Sequence, residues 1–544
     1  MHMKKIGLLL VLFVLLTASL AVAETSEKNS KSVRRAGNGN LKMWEMHGHD
    51  PAHTGSSTSP VPDYSKYDPH ANDLITEVQL QGEGYEFVES SVIVSDDEIF
   101  VQSNKYLYAF DSQANLLWYV PTKQGAFRSP AYSDARVIHI DHDYVYCRDA
   151  TSGNLLWKFN DEGKARFGGT SSVMISGWKV WVSSETAYHK ATIYALDLYT
   201  GVVHSYLELP DFLDPRGYSQ RVKFAQTPTI SAEMVYWTLE MEGGDFGALI
   251  AIDEQTGSQV EWSYSTELSE SFFFNTPTVI GNQLFVTVMG SPSYLLELDR
   301  NTGEELWRAY LSGEREQFYN SNPVIYDGKV IVPSTDWTDS HIYGFDRTDG
   351  SLEWRIDLPG EAIWSSASVG DGVAIIGTGS SDMLAFSPED GSILWKHTIA
   401  CWNGIFSTPS LAEGRVYVGG EDDNIYILDP MDKTILEADV DITPRTLNVK
   451  GKGKFVTVTV EIPGYNPEEI MVETLLLQGN IRAEEGTEKI GDRDGDGIPD
   501  LTVKFDRREL AEILTPGYIM QLKVTGYLTN GMRFEGVDTV RVIG

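Results

Sequence analysis

Between residues 85 and 438 short apolar strands alternate with polar turns, and one arrangement of them keeps returning. Tyr106-Leu-Tyr-Ala-Phe-Asp111 followed by Leu116-Leu-Trp118 reappears as Tyr144-Val-Tyr-Cys-Arg-Asp149 with Leu155-Leu-Trp157. The same text returns at 193–197, at 249–253 with Trp262, at 295–299 with Trp307 and at 342–346 with Trp354. Two further copies, 383–387 with Trp395 and 425–429, bring the number to eight, with Glu437 where the last Trp is expected. Inside each unit the grammar is constant. A short strand such as Thr278-Val-Ile280 precedes the turn Gly281-Asn282. A second strand (284–288), the Leu-x-Leu-Asp strand, an Asn-Thr-Gly turn (301–303) and a strand ending in Trp307 follow. Period-two alternation, β-branched residues and Asn/Asp/Gly turns are what hairpin-connected antiparallel strands require.

Eight units of four strands predict an all-β chain whose main body is an eight-bladed β-propeller spanning residues 85–438. The marker residues are architectural. The Asp closing each third strand accepts hydrogen bonds from the following turn, whose Gly supplies a left-handed backbone. The Trp offers a large face to the neighbouring blade and an indole N–H to a carbonyl. Ring closure needs a strand from the other chain end, and 74–80 (Leu74-Ile-Thr-Glu-Val-Gln-Leu80), within the N-terminal segment 24–84, is the candidate. From about residue 439 to 544 the rhythm changes to strands such as 455–462, 501–505, 520–525 and 539–543, which predict a small Ig-like β-sandwich. A short helix, capped by Asp506 and running 507–514, is expected inside it.

The formal net charge is −35. Such a surface repels phosphate backbones and excludes nucleic acid as a partner class. Lys4 and Lys5, the apolar run 6–16 and Ala21-Val-Ala23 read as a signal peptide over residues 1–23, so the mature chain is expected to be secreted, periplasmic or at the cell surface, with no stable membrane span after cleavage. The two cysteines, Cys147 and Cys401, lie in distant repeats and read as buried thiols.

The Leu-Tyr-Ala-Phe/Leu-Asp…Thr-Gly…Leu-Trp signature, the Thr-Pro openings of several units and the segment Trp44…His49-Asp50-Pro51…His53-Thr54-Gly55 resemble the PQQ-like, quinoprotein-type propeller family over residues 44–438. The resemblance is nearest to its non-catalytic branch, which includes the propeller lipoprotein of outer-membrane β-barrel assembly. It implies the fold strongly and the function weakly. This chain departs from that lipoprotein in lacking a lipobox Cys and in carrying the C-terminal domain.

Three sets of residues carry candidate chemistry. Asp492, Asp494, Asp496, the carbonyl of Ile498 and Asp500, with Gly497 at the sixth position, have the spacing of a calcium loop, although Val503 replaces the twelfth-position Glu. A structural calcium is expected there. His47, His49, Asp50 and His53 have a metal-like spacing, but the expected role is to anchor the N-terminal segment. Finally, an aromatic precedes the first strand of every unit (Phe87, Phe127, Phe167, Phe224, Phe274, Tyr319, Trp364 and Phe406), with Glu89, Arg128, Gln226, Asn275 and Asn320 beside them as a possible ligand funnel. A PQQ- and calcium-dependent alcohol or sugar dehydrogenase is the alternative function. Its chemistry demands a stacked quinone, a calcium and an Asp base, and the chain has neither a Cys-Cys pair nor a Cys-x-x-Cys-His haem site. The expectation is therefore a non-enzymatic scaffold, without PQQ, that recognises an envelope or extracellular protein, a peptide or a glycan.

Overall fold

The computed structural model describes residues 46–543 except 51, 65–74, 96–97, 124, 126, 168–170, 186–189, 245, 273–274, 314–315, 320, 400, 430–435, 452, 479–480, 485, 494, 496, 515–518 and 530–531. The signal-peptide reading falls outside them. Eight antiparallel sheets form the propeller, as the repeat predicted. Blade 5 is typical, with Thr278–Ile280 innermost, then Gln283–Val288, Tyr294–Asp299 and Glu305–Tyr310 outermost. Innermost strands begin at Ile93, Ala131, Met174, Thr229, Thr278, Val324, Ser368 and Ser410 in blades 1 to 8. Antiparallel alternation puts the loops entering the innermost strands and the turns between second and third strands at one end, here called the loop face.

Blades are fastened at the periphery by the marker residues. The indole N–H of Trp118 donates to the carbonyl of Ala150 at 2.7 Å, Trp157 to Leu198 at 2.9 Å and Trp262 to Arg300 at 2.9 Å, each acceptor lying just after the next blade's Asp. Beneath each indole sits that blade's turn glycine. A Cβ on Gly303 (φ 71°) would stand 2.4 Å from the Trp262 ring, so the position demands glycine twice over, for backbone and for space. Blade 3 lacks an outer Trp. Ser205 occupies that register position opposite Ala195, and Trp181 from the second strand reaches the slot under Gly257 instead.

Near the axis the blades are joined by side chains. The amide of Ser91 donates to Ser129 Oγ (2.9 Å), Ser129 to Ser172 Oγ (3.0 Å) and Ser172 to Thr227 Oγ1 (2.8 Å). Likewise Thr276 donates to Asn322 Oδ1 (2.7 Å), Asn322 to Ser366 Oγ (2.8 Å) and Ser366 to Thr408 Oγ1 (3.2 Å). Converging innermost strands face one another across blades rather than pairing edge to edge. Short hydroxyl or amide side chains at one register position satisfy the buried backbone donors there.

Residues 46–50 and 52–61 cross the axial channel. The carbonyls of Ala52, Thr54 and Gly55 accept from the amides of Val279, Ile325 and Val369, in blades 5, 6 and 7. Ser56–Ser57 pairs in parallel with Ser368–Gly370, and Ser57 Oγ donates to the Leu411 carbonyl of blade 8. His47 sits at the centre. Its Nδ1 lies 3.1 Å from Ser91 Oγ and 3.5 Å from Ser129 Oγ, while Asn322 Nδ2 donates to Nε2 at 3.3 Å. Asn322 Oδ1 already accepts the Thr276 amide, which fixes the amide's orientation and leaves the His47 proton on Nδ1. Burial depresses its pKa to about 4. The histidine segment thus anchors the N-terminus by hydrogen bonds.

Ile75–Gln79 pairs antiparallel with Asn424–Leu428, the third strand of blade 8, and closes the ring. The predicted closing strand is therefore the observed one. Thr76 faces Ile427 in the position other blades give to Trp. Glu437, read from the sequence as the slot of the missing Trp, lies instead in Leu436–Glu437, which pairs with Arg533–Ile543 of the C-terminal domain. The slot is filled by the other chain end, so no Trp is required at the end of blade 8.

The C-terminal domain is a two-sheet sandwich. One sheet contains Asp439–Thr443, Phe455–Glu461, Asp500–Asp506 and Lys489–Gly491, and the other is built on Arg533–Ile543 and Ile519–Tyr527. Val456, Val458, Val503 and Phe505 pack against Leu522, Val524, Phe534 and Val540 in one core. The expected helix is Arg507–Ile513, with the Asp506 carboxylate accepting the amides of Arg508 and Glu509. Among the described residues no helix is long and apolar enough to cross a membrane.

Candidate functional site on the loop face

The eight loop aromatics do not share one role. Counted back from the axial hydroxyl ring, Phe127, Trp364 and Phe406 occupy the second position before it, whereas Phe87, Phe167, Phe224 and Tyr319 stand elsewhere. Phe127 is 53% exposed, while Phe167 and Phe224 are buried in the blades. Phe274 lies outside the described residues.

The polar neighbours divide as well. Arg128 (3% exposed), Gln226 and Asn275 are buried, one residue before the ring. Asn275 Nδ2 donates to the Thr287 carbonyl at 3.3 Å, a contact inside its own blade. Burial lowers the Arg128 pKa to about 10, against the pull of Glu185 and Asp141. Glu89 is half-buried at the mouth. Asn320 lies outside the described residues.

What the structure assembles there is an aromatic arc over blades 6, 7, 8 and 1. Tyr319 meets Trp337 edge-on at 4.8 Å, Trp337 meets Trp364 at 5.4 Å, and Trp364 stacks on Phe406 at 4.6 Å. Farther round, Tyr85 lies 6.0 Å from Trp402 and 6.1 Å from Phe87. Trp402 is 69% exposed, Trp337 56% and Tyr85 43%. Trp337 and Trp402 sit in connections whose length and sequence differ from unit to unit, so the alignment of units did not reveal them.

Between the two aromatic groups runs the turn 420–424. The Tyr85 hydroxyl donates to the Glu421 carbonyl at 2.6 Å, the Glu421 amide to the Gly404 carbonyl at 3.3 Å and the Trp402 amide to Asp422 Oδ2 at 3.2 Å. Glu89 hydrogen-bonds the Glu421 carboxyl. Burial and this neighbour push the Glu89 pKa up to about 9, and burial raises that of Glu421. Two carboxyl groups at hydrogen-bond distance share a proton rather than both ionising.

In the C-terminal loop, Asp492 accepts the amides of Gly495 (2.6 Å) and Gly497 (3.0 Å), and buried Asp500 accepts the amide of Arg493 (2.6 Å). Ile498 is exposed. Asp494 and Asp496 lie outside the described residues.

The family model described as outer membrane protein assembly factor BamB matches residues 65–212, 223–337 and 338–436, more than half of the chain. The chain belongs to this BamB-type, PQQ-like-repeat propeller family. Among solved structures, BamB from Moraxella catarrhalis is 16% identical, with 65% of this chain and 97% of that one covered and a TM-score of 0.49. Quinohemoprotein alcohol dehydrogenase from Comamonas testosteroni is 14% identical over 75% of this chain and 85% of that one, with a TM-score of 0.55. The quinohemoprotein alcohol dehydrogenase ADHIIG from Pseudomonas putida HK5 is 11% identical over 89% and 83%, with a TM-score of 0.51. No curated protein matches the chain. At these identities the likeness to the solved structures is one of fold alone, and a fold of this kind does not choose an activity.

A quinone site of the dehydrogenase kind needs a calcium cluster beside the stacked ring. Among the described residues no three His, Cys, Asp or Glu side chains are arranged to hold a metal. The two cysteines are buried thiols in blade 2 and in the loop entering blade 8.

Proposed function

We propose that the chain is an exported, non-enzymatic recognition protein that binds a segment of an envelope or extracellular protein on the loop face of its propeller. The aromatic arc, with Tyr85, Trp337 and Trp402 exposed, carries this reading. Large aromatics left in water at one end of a closed ring give wide, rigid contact area at low entropic cost, as recognition surfaces do. The axial channel behind the arc is crossed by residues 46–50 and 52–61, which favours a ligand lying across the face over one threading the ring. The calcium-type loop 492–500 belongs to the same reading. A bound calcium would bring its four carboxylates together without mutual repulsion.

An array of extended peptides and oligosaccharides probed with the full chain and with the double variant Trp337→Ala, Trp402→Ala tests the proposal. Signals that the double variant loses support it. Reduction of a redox dye by the chain loaded with quinone and calcium, over an alcohol panel, would overturn it in favour of a dehydrogenase. For the loop, EDTA is expected to lower the melting temperature of the C-terminal transition, and an unchanged melt with no copurifying metal would remove the calcium.

A further inference from the structure

The loop-face patch joins two features that a neutral ligand would leave unsatisfied. One is the pair of aromatic groups, exposed Tyr85 with exposed Trp402, and exposed Trp337 with half-buried Trp364 and Phe406. The other is the set of carboxyl groups between them, Glu89, Glu421 and Asp422. Asp422 is 3% exposed, and its Oδ1 has no hydrogen-bond partner, although Oδ2 accepts from the Tyr426 hydroxyl at 2.7 Å and from the Trp402 amide. The Oε2 atom of Glu89 is likewise buried without a partner. The groups acting on Glu89 and Glu421 are each other and Asp422, with no lysine or arginine among them. Buried carboxylate oxygens without donors are costly, and a cation supplied from outside would satisfy them. Aromatic faces beside them attract the same kind of group through their quadrupoles.

Trp337 adds a third observation. It holds φ at 78° in the turn of blade 6, a region that bulky side chains rarely adopt. Its amide donates to Thr335 Oγ1 at 3.2 Å, and Asp336 Oδ1 accepts the amides of Thr338 and Asp339. The turn is thus fastened from both sides in a conformation that leaves the indole in solvent.

We propose, building on the loop-face reading above, that this patch recognises the lysine or arginine side chains of an extended peptide segment, their stems lying on the Trp402–Tyr85 and Trp337–Trp364 rings and their cationic heads meeting Glu89, Glu421 and Asp422. The net charge of −35 steers such a segment toward the chain from any direction. Local chemistry, not bulk charge, fixes where it stops.

Fluorescence anisotropy with the full chain tests this, using labelled Lys-Ser, Gln-Ser and Glu-Ser repeat decapeptides in low and 0.5 M salt. The Lys peptide is expected to bind and the other two at least tenfold more weakly. Glu89→Gln with Glu421→Gln, and separately Trp402→Ala, should each weaken it about tenfold. Neutralising two carboxylates at the opposite end, Glu233→Gln with Glu304→Gln, controls for net charge and should cost less than twofold. Equal losses in the control and the test pair would overturn the proposal, since the peptide would then be reading bulk charge. Gln-Ser binding as tight as Lys-Ser, lost with Trp337→Ala and Trp402→Ala, would overturn the cation preference and leave the loop face as the binding surface. Lys-Ser binding insensitive to all these loop-face changes would overturn both. Circular dichroism and melting curves of each variant exclude unfolding as the cause of a loss.

Discussion

Replacing Val78 and Leu80 together by Ala isolates the contribution of ring closure. Both side chains are buried, at the junction where Ile75–Gln79 completes blade 8 and the Leu80 amide donates to the Asp423 carbonyl at 2.7 Å. Val→Ala removes two carbons and Leu→Ala three, so at about 0.8 kcal/mol per buried CH₂ the loss is about 4 kcal/mol. With an unfolding entropy near 0.7 kcal/mol per kelvin for a ring of this size, the melting temperature should fall by about 6 °C. The strand's partner, Asn424–Leu428, would also become a free sheet edge on each opening, so aggregation on heating should increase. Leu117→Ala, on the solvent-facing outer strand of blade 1, is the matched control and should shift the melt by less than about 1 °C. Calorimetry with light scattering reads both effects. If the double variant melts with the control, Ile75–Gln79 contributes no closure and is an appendage to blade 8.

Three further outcomes follow from particular residues. Gly303→Ala should destabilise by about 2 kcal/mol or more, because its Cβ meets the Trp262 ring. Gly281→Ala, at φ 58° with open space around it, should cost about 1 kcal/mol, and equal costs would remove the indole from the account. Glu89→Gln should change how stability depends on pH. With the folded pKa raised to about 9, the native state holds a proton that the unfolded chain releases near pH 4.5, so native stability declines as pH rises across that window. The amide cannot lose a proton, so the variant's melting temperature should gain on wild type from pH 5 to 9, and parallel profiles would refute the shared proton. His47→Phe keeps the ring's size but strips contacts from Ser91, Ser129 and Asn322, and should lower the melting temperature by several degrees; an unchanged melt would show that the axial crossing is held by its backbone alone.

The propeller was legible because its fasteners repeat. Asp149, Gly153 and Trp157 recur at the same offsets as Asp299, Gly303 and Trp307 and as Asp346, Gly350 and Trp354, since these blades solve the same packing problem, and the closing strand was legible because Glu437 left a vacancy that 74–80 could fill. The axial strap was not, because its contacts run through main-chain carbonyls such as those of Ala52 and Thr54, which leave no pattern in side chains. At the mouth the structure separates the residues that the sequence grouped: Glu89 is half-buried, whereas Arg128 and Asn275 are buried and immediately precede the hydroxyl ring, where chain alternation turns a side chain inward between blades. Matching aromatics by proximity to the strand, rather than by register, merged the exposed Phe127 with the buried Phe167. Trp337 and Trp402 escaped altogether, since turns that differ between units are where a repeat stops being informative and where a binding surface is made.

Hydrogen exchange on the full chain, with and without the tightest ligand from the peptide and glycan array, tests the central claim most directly. Protection is predicted in 80–91, 335–339, 361–367, 401–408 and 420–424, the segments that build the loop face over blades 6, 7, 8 and 1. Protection confined to the opposite turns, to the outer strands or to residues 439–544 would contradict it.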